Sequence, residues 1–293
     1  MGAHPPRRVV QGLADRRVKA DAEIRAEPDG RGGVRLAVLR SQAPLLLRRT
    51  PDAVFLVGGA AGPLGGDDLR LHIQVCSGAV LQMRSVAASL AQPDPAGRPS
   101  DMSIEVDVAA GGALDWAPEP LVLTTGAHHR VHTSINLHGD AALRWRDVTV
   151  LGRHDEQSGL VEQNVTLTQD GAELLCQQHA WGQGAPEGWS GPAVLAGARV
   201  VASEIAVRQG PASPRPPAAS GVCVLQFAPD CQLTTCLGSQ VPAVVRLLDA
   251  SGTCDAGSAK HPSPAWLGES PPATGNQRTT VPQRGEQPAT AVP

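Results

Sequence analysis

The sequence predicts a mostly β protein built from stacked strand pairs, with a short helix near the C-terminus. Three observations carry this reading. Four segments alternate apolar and polar residues with period two, the pattern of a half-buried strand. Each ends in a glycine-containing turn that leads to a leucine. The unit recurs about every thirty residues, a spacing found in repetitive β architectures.

The strands follow in order. Leu69, Leu71, Ile73 and Val75 oppose Arg70, His72 and Gln74. Met102, Ile104, Val106 and Val108 oppose Ser103, Glu105 and Asp107. Val131, Ile135 and Leu137 oppose His132, Ser134 and Asn136, and the alternation returns through Val161, Gln163, Val165 and Leu167. The turns centre on Gly78, Gly112, Gly139 and Gly171. Glycine or Asp-Gly there supplies the positive φ of a tight hairpin, so each turn is expected to join neighbouring strands. Ordinary hairpins in a sandwich would give the same signal.

The flanks differ. Residues 1–32 are polar and charged, and are expected to be partly disordered. A β domain is expected over 33–254. Segments 182–192 and 209–221 are rich in glycine and proline and read as loops. Val241, Val244, Val245, Leu247 and Leu248 share one helical face, which predicts a short helix over 240–249. Residues 255–293 become Pro, Ser, Thr, Gly and Gln, the composition of a disordered tail.

The chain of 293 residues is 41% hydrophobic, enough for a real core. A net charge of −3 gives no basic surplus for phosphate backbones, so nucleic acid is not an expected partner. Lys19 and Lys260 are the only lysines, tyrosine is absent, and Phe55 and Phe227 are the only phenylalanines. A GC-rich coding bias explains this, and it leaves the core to Val, Leu, Ala and five tryptophans. The first residues carry charge without an apolar run, and no stretch reaches the ~18 apolar residues of a membrane span. With six cysteines and no C-x-x-C, reduced and buried thiols in a cytoplasmic protein are the expectation.

Catalytic signatures are missing. There is no G-x-x-x-x-G-K-[ST], no H-E-x-x-H and no G-x-S-x-G. The glycine-rich stretch 58–68 runs into a strand pattern and not a helix, so it lacks the N-terminal amides of a phosphate cradle. Two features could bear on metal chemistry: the acidic pair Asp67-Asp68, and the histidines His128, His129 and His132. A metal-dependent hydrolase would need these acids and histidines to meet around one ion with an open position. The plainer reading is a turn acid and a solvated strand face.

Three segments in order resemble the urease accessory protein family called UreD (also UreH). GGAAGPLGGDDLRLHIQVCSGA is similar to that family's glycine-rich stretch ending in G-G-D-x-L before a strand. GGALDWAPEPLVLTTGAHH resembles its L-E-W-x-P-x-E pattern, with Asp115 in place of Glu and Trp116, Pro118 and Glu119 matching. WRDVTVLGRHDEQSG resembles an acid four residues ahead of L-G-R, here Asp147 before Leu151-Gly152-Arg153. Ser158-Gly159-Leu160 departs from the family's S-G-E, and MRSVAASL from its threonine-rich strand.

The resemblance implies a mostly β, layered, partly helical-wound fold with a few short helices, notably near the C-terminus, and a scaffold that is not an enzyme. Its implied partners are the urease apoprotein, a second accessory scaffold protein (UreF-like) and a nickel-carrying GTPase (UreG-like). It implies no tightly bound cofactor and a transient encounter with nickel on its way to the urease active site. By that resemblance Asp67 and Asp147 match acids thought to line a passage for the metal. Asp68, Glu119 and Arg153 are the further passage or partner-binding candidates, and His128, His129 and His132 the weaker metal candidates.

Overall fold

The computed structural model describes residues 17–208 and 220–251. Seventeen strands and one helix follow in order. They are β1 (Lys19–Pro28), β2 (Val34–Arg40), β3 (Leu45–Arg49), β4 (Val54–Gly58), β5 (Asp68–Val75) and β6 (Val80–Ser85). Then come β7 (Ser89–Ala91), β8 (Ser100–Val108), β9 (Ala113–Trp116), β10 (Leu121–Leu123), β11 (His128–Leu137) and β12 (Ala142–Leu151). The chain continues through β13 (Leu160–Gln169), β14 (Ala172–Trp181), β15 (Val200–Val207), β16 (Val222–Ala228), β17 (Cys231–Gly238) and α1 (Val241–Ser251).

The strands form two layers. A seven-stranded sheet has the order β14-β13-β11-β8-β5-β1-β2. A ten-stranded sheet has the order β16-β17-β15-β12-β9-β6-β4-β3, with β10 and β7 continuing beside β12. The middle of the chain winds between them. β5, β8, β11 and β13 stack in parallel in the first sheet, each about thirty residues after the last, while β6, β9 and β12 do the same in the second. The thirty-residue unit is therefore one coil of a wound β structure.

All four alternating segments are strands. Their turns need a correction. The turns at Gly78, Gly112 and Gly139 carry the chain from one sheet to the other, because β5, β8 and β11 lie in the first sheet and β6, β9 and β12 in the second. Only the turn at Gly171 closes a hairpin between hydrogen-bonded neighbours, β13 and β14. There Asp170 (φ 49°) and Gly171 (φ 80°) both take the left-handed conformation that a two-residue hairpin of type I′ requires. Successive turns are tied together: Gly111 N–H donates to Asp140 Oδ1 (2.7 Å) and Gly139 N–H to Asp170 Oδ1 (2.9 Å).

The domain also begins earlier than 33. β1 falls inside the segment expected to be a polar lead. Its Ala20, Ala22, Ile24 and Ala26 are buried, in register with Leu69, Leu71, Ile73 and Val75 of β5. Small alanines opposite large leucines and isoleucines fill the layer, and small residues weaken the apolar signal in sequence. The tail over 255–293 and most of the loop over 209–221 lie outside the described residues. The C-terminal helix is present as α1. The cysteines divide: Cys231 and Cys236 are buried, but Cys176 and Cys223 are exposed, against expectation.

One close approach tests the path of the chain. Gly182, at φ 101°, lies so near Gly159 that a Cβ on it would overlap the Gly159 carbonyl oxygen. Gly159 itself packs against the carbonyls of Thr124 and Ala127. Neither backbone can yield as a side chain would. Gly182→Ala is expected to lower the unfolding free energy by about 2 kcal/mol. Chemical denaturation checks this, and an unchanged midpoint would refute the close packing.

Candidate functional site

The interior between the sheets changes character along its length. In the seven-stranded sheet one inward row reads Ala22, Leu71, Ile104, Thr133, Val165, Gln177 across six strands. The next reads Ala20, Leu69, Met102, Val131, Gln163, His179. Both rows begin apolar and become polar toward β14. The facing sheet does the same: Asp147, Ser203, Thr235 and Cys223 stand in register across β12, β15, β17 and β16. These polar ends meet around a cavity of about 480 Å³. Apolar clusters bound it, one around Trp145 and Ile205 and another around Leu151, Val161 and Leu195.

Asp147 is the acid of this cavity. Trp116 and Trp145 stack with ring centroids 4.7 Å apart and planes 7° from parallel, because they are register partners on β9 and β12. Both indoles aim at Asp147. Trp145 Nε1–H donates to Oδ2 at 2.7 Å and Trp116 Nε1–H to Oδ1 at 3.3 Å. Burial pushes the Asp147 carboxyl above the usual carboxylate range, and the two indole bonds pull only partly back. Each oxygen holds one neutral donor, and among the described residues no cation pairs with it to offset the desolvation. A carboxylate so placed would favour an approaching cation.

The other expected residues are dispersed. Asp67 is buried, and its Oδ2 accepts from Leu64 N–H at 2.9 Å, which closes the glycine turn. It lines neither described cavity. Asp68 faces outward beside Lys19 (3.8 Å) and Arg70 (3.4 Å). Glu119 is exposed in the segment between β9 and β10, its N–H donating to Ser85 Oγ at 2.9 Å. Arg153 is exposed and held bidentately by Glu156, at 2.7 and 3.0 Å. Two of the three sequence segments thus meet at Asp147, through Trp116, while the acid of the first does not join them.

The histidines do not share one centre with each other or with Asp67 and Asp68. His128 and His132 face outward, paired with Glu162 Oε2 (2.8 Å) and Asn164 Nδ2 (3.1 Å). His129 points the other way, buried, with Nδ1 2.8 Å from Ser100 Oγ. Strand alternation forces this split. Among the described residues no three His, Cys, Asp or Glu side chains converge as a metal would need.

One feature escaped the sequence reading. On the outer face of the ten-stranded sheet Arg84, Asp115, Arg144, Glu204, Arg146 and Asp249 alternate in charge. Arg84 pairs with Asp115, and Arg144 Nε lies 3.7 Å from Asp115 Oδ1 and 3.2 Å from Glu204 Oε2. Arg146 Nη2 lies 2.7 Å from Glu204 Oε2 and 2.8 Å from Asp249 Oδ1, which fastens α1 to the sheet. Asp115 and Glu204 are buried. Arg144 and Arg146 at period two were the available signal, but the same spacing marks a solvated face.

The model of the UreD urease accessory protein family matches residues 18–252, from the start of β1 to the end of α1. The urease accessory protein UreD of Streptomyces coelicolor is 40% identical over 245 residues, covering 80% of this chain and 95% of that protein. The UreD of Streptomyces avermitilis is 43% identical over 196 residues, 65% of this chain and 78% of its own. That of Parafrankia sp. is 37% identical over 276 residues, 84% and 92%. The match spans both sheets, the Asp147 cavity and α1, and the chain belongs to the UreD family of urease accessory proteins.

Proposed function

We propose that this protein is a non-catalytic scaffold that binds the urease apoprotein together with other accessory proteins and assists the entry of nickel into the urease active site. The partners it would serve are the urease apoprotein, a UreF-like accessory scaffold and a UreG-like GTPase that carries nickel, in the cytoplasm. Family membership supports the urease setting. No helix among the described residues is long and apolar enough to cross a membrane.

The observation that carries the nickel reading is Asp147 in the inter-sheet cavity. A carboxylate there has two neutral donors and, among the described residues, no cationic partner. The lining around it supplies scattered oxygens from Ser203, Thr235 and Gln163, with His179 and Cys223. Weak, separated ligands suit an ion that must leave again, whereas a closed set of three or four would trap it. Asp67 has no such role in this reading, because its oxygen is committed to the turn.

The test is Asp147→Ala and Asp67→Ala, each co-expressed with urease and the other accessory proteins. Assembly is read by co-purification and nickel by metal analysis of the isolated urease. For Asp147→Ala, assembly is expected to survive while nickel in urease falls roughly tenfold, the scale seen when a group supporting a metal site is removed. Asp67→Ala should act on fold stability before nickel delivery. Full nickel content with Asp147→Ala would remove the cavity from the mechanism.

A further inference from the structure

The loop between β14 and β15 is bonded only to itself. Trp189 N–H donates to Pro186 O, Gly191 N–H to Gly188 O, and both Val194 and Ala196 N–H to Gly191 O. Gly197 N–H donates to Ser190 O and Ala198 N–H to Leu195 O. Among the described residues, no hydrogen bond or ion pair joins 184–198 to another element. The body takes hold just outside, where Gln183 N–H donates to Ser158 O (3.4 Å) and Arg199 N–H to Gly238 O (3.0 Å). What holds the loop down is apolar. Leu195 is 2% exposed in a cluster with Leu151, Val161, Trp181 and Val201, and Trp189 packs against that cluster. Gly184 (φ 99°) and Gly197 (φ 75°) stand at its two ends, where glycine gives the chain the most freedom to turn. A compact loop of this kind can leave the body as a unit, losing only its apolar anchors.

Two hollows meet at this loop. One is the Asp147 cavity, where Ala193, Val194 and Leu195 form part of the wall. The rest of its wall is strands and, at Gly221, the turn before β16. The other hollow is an open pocket of about 850 Å³ over the outer face of the seven-stranded sheet, lined by Arg130, Glu162, Gln178, Glu187 and Trp189 among others. His179, Trp181, Ala193 and Val194 line both, so a single layer of side chains separates them. Val194 touches the cavity and is still 48% exposed. The cavity also meets solvent on the side of β16, because Cys223 lines it and is exposed. A passage needs two ends. The β16 side is one, and the loop stands across the other.

We propose that the loop 184–198 is a gate between the outer pocket and the Asp147 cavity. It turns on Gly184 and Gly197 as Leu195 leaves its cluster, which joins the two hollows and admits a hydrated divalent cation to Asp147. The pocket suits that approach. Its one arginine, Arg130, is committed to Asp101 at 2.7 and 2.8 Å. Glu162 meets the imidazole of His128, and Glu187 is exposed with no ion pair among the described residues. One fully buried side chain and part of a second hold the loop, so the open form is a minor state, on the order of 0.1–10% of molecules. The proposal rests on the reading of Asp147 as a stop for nickel and adds how the cation reaches it.

Two measurements on the full-length protein test the gate. Leu195→Cys and Leu151→Cys place the same thiol in the same apolar cluster, one on the loop and one on β12. Labelling by iodoacetamide, followed peptide by peptide, is expected to be about tenfold or more faster at position 195. Equal rates would mean that the loop opens only when the whole fold does, and the gate is lost. The second measurement follows entry of Ni²⁺ by quenching of tryptophan fluorescence, since Trp116 and Trp145 both donate to Asp147. Leu195→Ala should speed the quenching about threefold or more by raising the open fraction, and Asp147→Ala should abolish that part of it. Quenching that depends on Asp147 but not on Leu195 would bring the cation in from the β16 side; the gate would be overturned and the Asp147 reading would stand. Quenching unchanged by Asp147→Ala would remove the Asp147 reading, and the cation gate with it.

Discussion

Glu204→Ala is expected to lower the free energy of unfolding by about 3–5 kcal/mol, the scale on which removing one partner of a buried ion pair acts. Glu204 is 2% exposed, and its Oε2 takes Arg144 at 3.2 Å and Arg146 at 2.7 Å. The loss is not the strength of those bonds alone. Two guanidiniums in a sparsely hydrated layer would face each other without the carboxylate between them, and Arg cannot discharge itself. Asp249→Ala removes a charge from the same network, but Asp249 is 56% exposed at its side chain. Water replaces it, and a change under about 1 kcal/mol is expected. Glu204→Gln should fall between, since it keeps shape and one acceptor. Urea unfolding of the three variants checks the order; Glu204→Ala within 1 kcal/mol of the parent sequence would show that the network is solvated.

This network marks a limit of sequence reading. Period two reports which residues share a face, not what covers that face. Arg144 and Arg146 alternate with Leu143, Trp145 and Asp147, so their side reads as solvent. In the fold α1 and Glu204, from about sixty residues away, close over it. The same limit explains the turns. A glycine at positive φ reverses the chain equally well within one sheet or between two, and only the pairing of β5 with β8 and not with β6 separates the cases. β1 was missed because its buried face is alanine except for Ile24, which the charged residues between them outweigh in sequence.

Other parts were legible for physical reasons. β5, β8 and β11 alternate because one face meets the core and the other is more open, whereas β13 is partly buried along nearly its whole length. The thirty-residue recurrence carried real contacts, since Trp116 reaches Asp147 one coil later. Asp67 and Asp147 looked alike in sequence, as acids beside apolar runs. What separates them is the donor each meets: a turn amide that fixes Asp67 in place, and two indoles that leave Asp147 facing a cavity.

The pH dependence of stability should be governed near neutrality by His129, a residue outside the functional argument. Its ring is buried, paired through Nδ1 with Ser100 Oγ, and in register with Val161. Burial drives its pKa down to about 4, against the partial opposition of Ser100 and Asp101. In the unfolded chain the ring titrates near 6.5. Between these values the unfolded state binds the extra proton, so stability falls as pH falls. The loss begins as pH drops through about 6.5 and is complete below about 4, where both states are protonated. At 1.36 kcal/mol for each pKa unit it amounts to about 3 kcal/mol. His179, also held low by burial, adds in the same direction. Asp147 acts oppositely, because its raised pKa makes protonation favour the folded state. Asp94, held down to about 2 by Arg98, loses its contribution only below the ordinary carboxylate range, so it does not enter this window. His129→Gln keeps a polar partner for Ser100 and removes the titration. Unfolding free energies measured from pH 7 to 4.5 should fall more steeply for the parent than for the variant, by about 2–3 kcal/mol over the interval. Parallel curves would mean that water reaches His129 and that the layer beneath β11 is open there.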